Sequence, residues 1–306
     1  MSPDSLGARV AALASTLKAA IAPPAARDDA DPIAPMAPIA ARGNGAPTRT
    51  GYAWVNGLRM YYEVHGEGGI SPLLLLHGSS STIGTNFGRI LPLLKATHEQ
   101  VIALEFQAHG HTRDVDRAFS FEQDADDVAA LLEHLRVERA TMFGFGNGGT
   151  TALQVAIRHP DVVDRLVVAS AIYAKSGMRQ SYWDAMKRST FADMPQPYKE
   201  AFRKIDPSPD ALMAMWRRDA ERMLAFKDIP DSSVQAIRAP TLVVVGDRDV
   251  VRPEHALALA RLIPNARLAV IPGGHGEYLG EVSFPRAPAP RVFAAMVEEF
   301  LKPPDR

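Results

Sequence analysis

From Leu73 onward, short apolar runs alternate with segments of helical period, and this alternation constrains the fold more than any other feature. Residues 73–76, 101–105, 141–143, 165–170, 241–245 and 266–271 read as strands. Residues 120–135, 150–159, 253–262 and 291–301 read as helices between or after them. Continuous apolar runs fit strands buried on both faces. Their alternation with helices implies a mostly parallel sheet with helices on both sides, an α/β fold. Ahead of this pattern, 53–55, then Asn56-Gly57, then 58–64 reads as a β-hairpin, because Asn-Gly suits a two-residue turn with positive φ. Ser120 with Gln123 forms the pattern of a capping box at the first long helix.

Composition narrows the function. The 306 residues carry 34 basic and 35 acidic side chains, a formal net charge of −1. Such a balance offers no broad electrostatic reason to bind nucleic acid or anionic lipid. No apolar run approaches the ~20 residues that span a bilayer. The chain has no cysteine, so disulfides, thiolate metal sites and a cysteine nucleophile are excluded. Histidines and carboxylates do not fall at metal-ligand spacing, and neither a metal nor a cofactor is expected.

Two regions break the alternation. Residues 1–48 are rich in Ala and Pro and read as a dispensable, extended N-terminal segment. Ala20-Ile21-Ala22 resembles a leader cleavage site, but Asp4 precedes Arg9 and Lys18 interrupts the apolar stretch. The compartment is therefore read as cytoplasmic, with the periplasm or secretion as the alternative if residues 1–22 act as a signal. Residues 172–237 are helical in pattern and rich in Met and aromatics, including Tyr182, Met186, Tyr198 and Trp216. They read as a helical lid inserted into a core of 49–171 and 238–306. Most of these side chains are expected to pack the insertion, and a few to line a pocket.

The central motif is Phe143-Gly144-Phe145-Gly146-Asn147-Gly148-Gly149, between a strand and a helix. Read literally it spells GxGxxG, the dinucleotide fingerprint. That site needs a carboxylate at the end of the next strand, and this one ends Ala169-Ser170-Ala171. The other reading is a GxSxG turn with its middle residue replaced: Gly144 and Gly148 take the flanking slots and Gly146 the nucleophile slot. An acid and then a histidine should follow. Gly246-Asp247-Arg248-Asp249 follows one strand, with Asp249 the first candidate and Asp247 the second. Pro272-Gly273-Gly274-His275 follows the next. Among the other histidines, His98, His134, His159 and His255 lie in or beside helical segments and read as surface residues. His77-Gly78-Ser79 follows the first strand, so the N–H groups of Ser79 and Asn147 are placed to donate to a developing oxyanion. His77 reads as structural.

These motifs, 73–78, 107–110, 144–149, 246–249 and 273–275, together resemble the α/β-hydrolase superfamily, close to its cofactor-free haloperoxidase and esterase-like branch. The resemblance covers about 51–301 and implies an α/β-hydrolase fold, a nucleophile-His-Asp triad and a small-molecule substrate. Relatives usually carry serine where Gly146 stands. The preferred reading is a hydrolase for a small, mostly uncharged ester, lactone or related carbonyl compound, inactive as written. A general-base enzyme using His275 and Asp249 ranks second and a non-catalytic binder third. Ser79, Ser80, Ser81, Thr150 and Thr151 are near the site in sequence, but none lies on the turn that should carry the nucleophile. Oligomeric state is left open.

Overall fold

The computed structural model describes residues 46–68, 71–288 and 290–302. The expected N-terminal segment falls almost wholly outside the described residues. Eight strands form one sheet: β1 (Arg49–Val55), β2 (Leu58–Gly66), β3 (Leu73–Leu76), β4 (Gln100–Glu105), β5 (Ala140–Phe145), β6 (Val163–Ala169), β7 (Thr241–Gly246) and β8 (Ala266–Ile271). Their order is β1-β2-β4-β3-β5-β6-β7-β8. β1 pairs antiparallel with β2 and β2 antiparallel with β4; the pairings from β4 to β8 are parallel.

The local chemistry explains the elements. Asn56 and Gly57 close the β1–β2 hairpin with φ of +47° and +82°, the double positive φ that Asn-Gly supplies. Every residue of β3 and of β5 is buried, because helices cover both faces of the central strands. One layer holds α3 (Phe121–Leu135), α4 (Asn147–Arg158) and α9 (Pro253–Leu262), which bury Val128, Leu131, Leu153 and Leu259 in the larger core. The other holds α1 (Ile83–Phe87), α2 (Leu91–Thr97) and α10 (Pro290–Leu301), which bury Phe87, Leu94, Phe293 and Val297 in a second core. The cap of α3 departs from expectation. Ser120 Oγ accepts the Gln123 N–H at 3.1 Å, but the Gln123 side chain donates to Asp127 at 3.1 Å instead of reaching back. The capping box is half formed, because the Gln123 amide is drawn instead to the Asp127 carboxylate one turn on, to which it donates a charge-assisted bond.

Between β6 and β7 lie α5 (Gln180–Arg188), α6 (Gln196–Arg203), α7 (Pro209–Ala225) and the short α8 (Asp231–Gln235). Met194, Phe202, Leu212 and Met215 give this insertion a small core of its own.

The strand order places the site. From β3 the chain moves outward to β4, then returns across β3 to form β5 on its other side. The loops leaving β3 and β5 therefore diverge, and the crevice between them is where open α/β sheets bind ligands.

Candidate active site

The turn after β5 is fixed by crowding. A Cβ on Gly144 would meet the Gly148 carbonyl, and one on Gly148 would meet the Leu76 carbonyl, so only glycine lets β5 turn this tightly into α4. Gly146 stands at the tip with φ +54° and ψ −119°, a conformation that side-chain-bearing residues adopt only under strain. Space is not the obstacle there. A Cβ on Gly146 would lie 3.7 Å from His275 Nε2 and 3.7 Å from Gly78 Cα, ordinary van der Waals contact.

His275 comes from the loop after β8 and Asp249 from the loop after β7. Asp249 Oδ1 lies 2.8 Å from His275 Nδ1, which leaves Nε2 facing Gly146. Asp247 is elsewhere: its Oδ1 accepts the Gly273 N–H at 2.7 Å and so braces the histidine loop. The Asp249 side chain is fully buried, while 29% of the His275 side chain is exposed. Burial pushes the Asp249 carboxyl up. The charge of His275 and hydrogen bonds from His275, Ser170 and the Val251 N–H outweigh it and hold the carboxyl below its ordinary range. Burial pushes His275 down, and the charge and hydrogen bond of Asp249, with the charge of Glu281, raise it above its ordinary value.

Sequence reasoning missed the support behind Asp249. Ser170 Oγ is 2.5 Å from Asp249 Oδ2 and 2.5 Å from the Tyr278 hydroxyl. Ser170 has φ +48°, so this bond is made from a strained backbone. The one available signal was its position directly after β6, at the carboxyl edge of the sheet.

The turn after β3 lies across from Gly146. Asn86 Oδ1 accepts the Gly78 N–H at 2.5 Å. The N–H groups of Ser79 and of Asn147, first residue of α4, have no acceptor among the described residues. His77 is buried. Its Nε2 accepts the Phe106 N–H at 3.1 Å and its Nδ1 lies 2.8 Å from Gly78 O, so both nitrogens are engaged. Burial, with the neighbouring His109, pushes His77 down to about 3, which keeps it neutral.

His255 corrects an expectation. It is buried, not at the surface: it stacks on Tyr173 with centroids 4.4 Å apart, and its Nε2 accepts the Tyr173 N–H at 3.2 Å. Burial lowers it to about 4. Its place on α9 hid this, because the side that α9 turns inward is set by what packs there.

A cavity of about 260 Å³ joins these groups, with Ser79, Gly146, Asn147 and His275 in its wall. The insertion contributes Tyr182, Met186, Met194, Tyr198 and Trp216. Two buried carboxyls that the sequence did not single out, Asp219 and Glu281, also line it. Among the described residues no group of three or more His, Asp or Glu is arranged to hold a metal ion. No helix among them is long and apolar enough to cross a membrane.

Known proteins resemble this chain in sequence and fold. Residues 71–229 match the family model described as alpha/beta hydrolase fold. The human serine hydrolase BPHL is 28% identical over 234 residues, 72% of this chain and 77% of that protein. The 2-hydroxymuconate semialdehyde hydrolase of Pseudomonas sp. (strain CF600) is 26% identical over 266 residues, 79% of this chain and 91% of that protein. Among solved structures, that of Est816, described as an N-acyl homoserine lactone degrading enzyme, matches with a TM-score of 0.63 at 25% identity, covering 80% of this chain and 98% of that one.

Proposed function

The chain belongs to the alpha/beta hydrolase family, and on that premise we propose that its cavity binds a small, mostly uncharged ester, lactone or related carbonyl compound for attack beside His275. One observation carries the reading. A Cβ at Gly146 would lie 3.7 Å from His275 Nε2, while Nδ1 is held by Asp249 at 2.8 Å. That is the geometry of nucleophile, base and orienting acid. The Ser79 and Asn147 N–H groups are the oxyanion donors. Residues 172–237 act as the cap that closes the cavity over the core of 49–171 and 238–306, and their Met and aromatic side chains set substrate choice. The names of similar proteins support a carbonyl substrate: one is a hydrolase of a semialdehyde and another degrades a lactone.

With a serine at 146, Oγ attacks the carbonyl carbon and its proton passes to His275 Nε2. The oxyanion is held by the two N–H groups, and the leaving alcohol takes the proton back. Water then repeats the sequence on the acyl-enzyme. Gly146 has no Oγ, so this chain cannot form the acyl-enzyme and His275 is left with water as its partner. Loss of the serine costs such an enzyme roughly 10⁶ in turnover, leaving ~10³–10⁴ over the uncatalysed rate.

The test is Gly146→Ser assayed on p-nitrophenyl butyrate. The expected result is a pre-steady-state burst equal to the enzyme present, abolished by adding His275→Ala. Equal activity with glycine and serine would show that the chemistry bypasses position 146, and would move the His275–Asp249 pair to the role of general base on water or a substrate C–H.

A further inference from the structure

The turn that carries the Ser79 N–H is gripped by a carboxylate from the inserted helix α7, 140 residues further along the chain. Asp219 Oδ2 accepts the Ser79 hydroxyl at 3.0 Å and the Ser80 backbone N–H, and lies 2.9 Å from His109 Nε2. Ser80 has φ +53°, a left-handed backbone that a residue with a side chain keeps only where its surroundings over-determine it. Its N–H bond to Asp219 is part of what determines it here.

Asp219 is itself held on every side. Its Oδ1 accepts Arg222 Nη2 at 2.6 Å, and Arg222 Nη1 donates to Asp124 of α3. The guanidinium sits 4.4 Å from the Phe119 ring centroid and 4.8 Å from that of Phe121. The second nitrogen of His109 is 2.7 Å from the Gln107 carbonyl. His109, Asp124, Asp219 and Arg222 are each no more than 3% exposed. Burial favours a neutral Asp219, but the charges of His109 and Arg222 overcome it and hold the carboxyl far below its ordinary range. An ionised carboxylate only accepts hydrogen bonds, which matches the four donors around it.

We propose that Asp219 is a positioning residue: by accepting the Ser79 hydroxyl and the Ser80 N–H it fixes the Ser79–Ser80 turn, and through residue 79 the direction in which the Ser79 N–H faces the substrate carbonyl. The oxyanion site is then complete only with α7 docked. This inference rests on the hydrolase reading above, and its test separates the two.

Two measurements decide it. The first compares the unmodified chain with Asp219→Asn by amide hydrogen exchange, since asparagine turns an amide donor toward donors that need an acceptor. Protection of the Ser80 amide should drop by roughly tenfold or more while the β5 amides keep theirs. The second sets Asp219→Asn in a Gly146→Ser background against p-nitrophenyl butyrate and its thionoester. Sulfur accepts hydrogen bonds weakly, so the thionoester gains little from oxyanion donors. On the oxoester kcat should fall about 10- to 100-fold, because displacing a donor costs less than the 10²–10³ lost when one is removed. KM should stay within about a factor of two, and the thionoester should lose far less. Ser79→Ala, which leaves the Arg222 ion pairs intact, should show the same bias on a smaller scale. It carries the kinetic test if Asp219→Asn does not fold. Equal losses on both esters, or unchanged Ser80 exchange, would overturn the proposal. Absence of ester turnover in the Gly146→Ser background itself would instead overturn the hydrolase reading, and the exchange result alone would then decide whether Asp219 holds the turn.

Discussion

Adding a Cβ at position 146 separates backbone strain from crowding. The nearest atoms to that Cβ are Gly78 Cα and His275 Nε2, both at 3.7 Å, so no neighbour has to move. The cost is the backbone itself, held at φ +54° and ψ −119°, which is about 1–3 kcal/mol for a residue with a side chain. Against this, alanine narrows the unfolded ensemble relative to glycine and returns about 0.4–1 kcal/mol. Gly146→Ala should therefore destabilise the fold by about 1.3 kcal/mol at the centre of these ranges and by up to about 2.6 kcal/mol, and the central value lowers Tm by roughly 3–5 °C for a domain of this size. Gly146→Ser bears the same strain, but its hydroxyl, one bond beyond Cβ, reaches His275 Nε2 and recovers about 0.5–1.5 kcal/mol. Its melting point should lie between those of the glycine and alanine forms. The assay is calorimetry beside urea unfolding for all three forms. If alanine melts no lower than glycine, the backbone at 146 is not held at positive φ and the geometry of the turn after β5 is refuted. If serine melts no higher than alanine, its hydroxyl does not meet the histidine.

Three further outcomes are expected. The base must be neutral to accept a proton, so in Gly146→Ser the activity should fail as pH drops through the raised value of His275, at a midpoint above the ordinary 6.5. Asp249→Asn removes the chief groups that raise it, so a pH–rate profile should show that midpoint move to lower pH; an unmoved midpoint would assign the limb to another group. Burial pushes the Glu281 carboxyl from 4.5 up to about 7. The folded state then holds this proton longer than the unfolded state, and stability falls as pH rises through that window. Glu281→Gln should thus gain in stability relative to the parent between about pH 5 and pH 8, by at most about 3 kcal/mol, and a gap independent of pH would contradict this. Ser120→Ala should cost about 1 kcal/mol in urea unfolding, whereas Gln123→Ala should cost much less because its side chain does not close the capping box; equal costs would restore the box.

Much of this protein follows from local chemistry. Continuous apolar runs such as 73–76 can be buried on both faces only in a central parallel strand, and that fixed the α/β class. Asn56-Gly57 specified its own turn. Gly144 and Gly148 carried the sharp turn into α4 because their constraint is steric and lies within a few residues. That Gly146, Asp249 and His275 lie together was legible because each sits in a short loop after a strand, and a parallel sheet brings such loops to one edge.

What tertiary structure alone decided are contacts between segments far apart in sequence. Nothing around Asp219 marks it as the anchor of a turn at Ser79–Ser80: Arg222 is its neighbour one turn on along α7, but His109, the Ser79–Ser80 turn and the Asp124 that holds Arg222 come from elsewhere in the chain and meet there only in the folded protein. Glu281 looks like a loop acid until burial raises its carboxyl. Ser170 joins Asp249 through a left-handed backbone that no side-chain pattern announces. His255 lies on a helix whose polar position suits water, yet Tyr173 covers it. A periodic pattern states which positions turn inward. The partner met there is set by packing, and for a buried charge the partner decides both its protonation and its use.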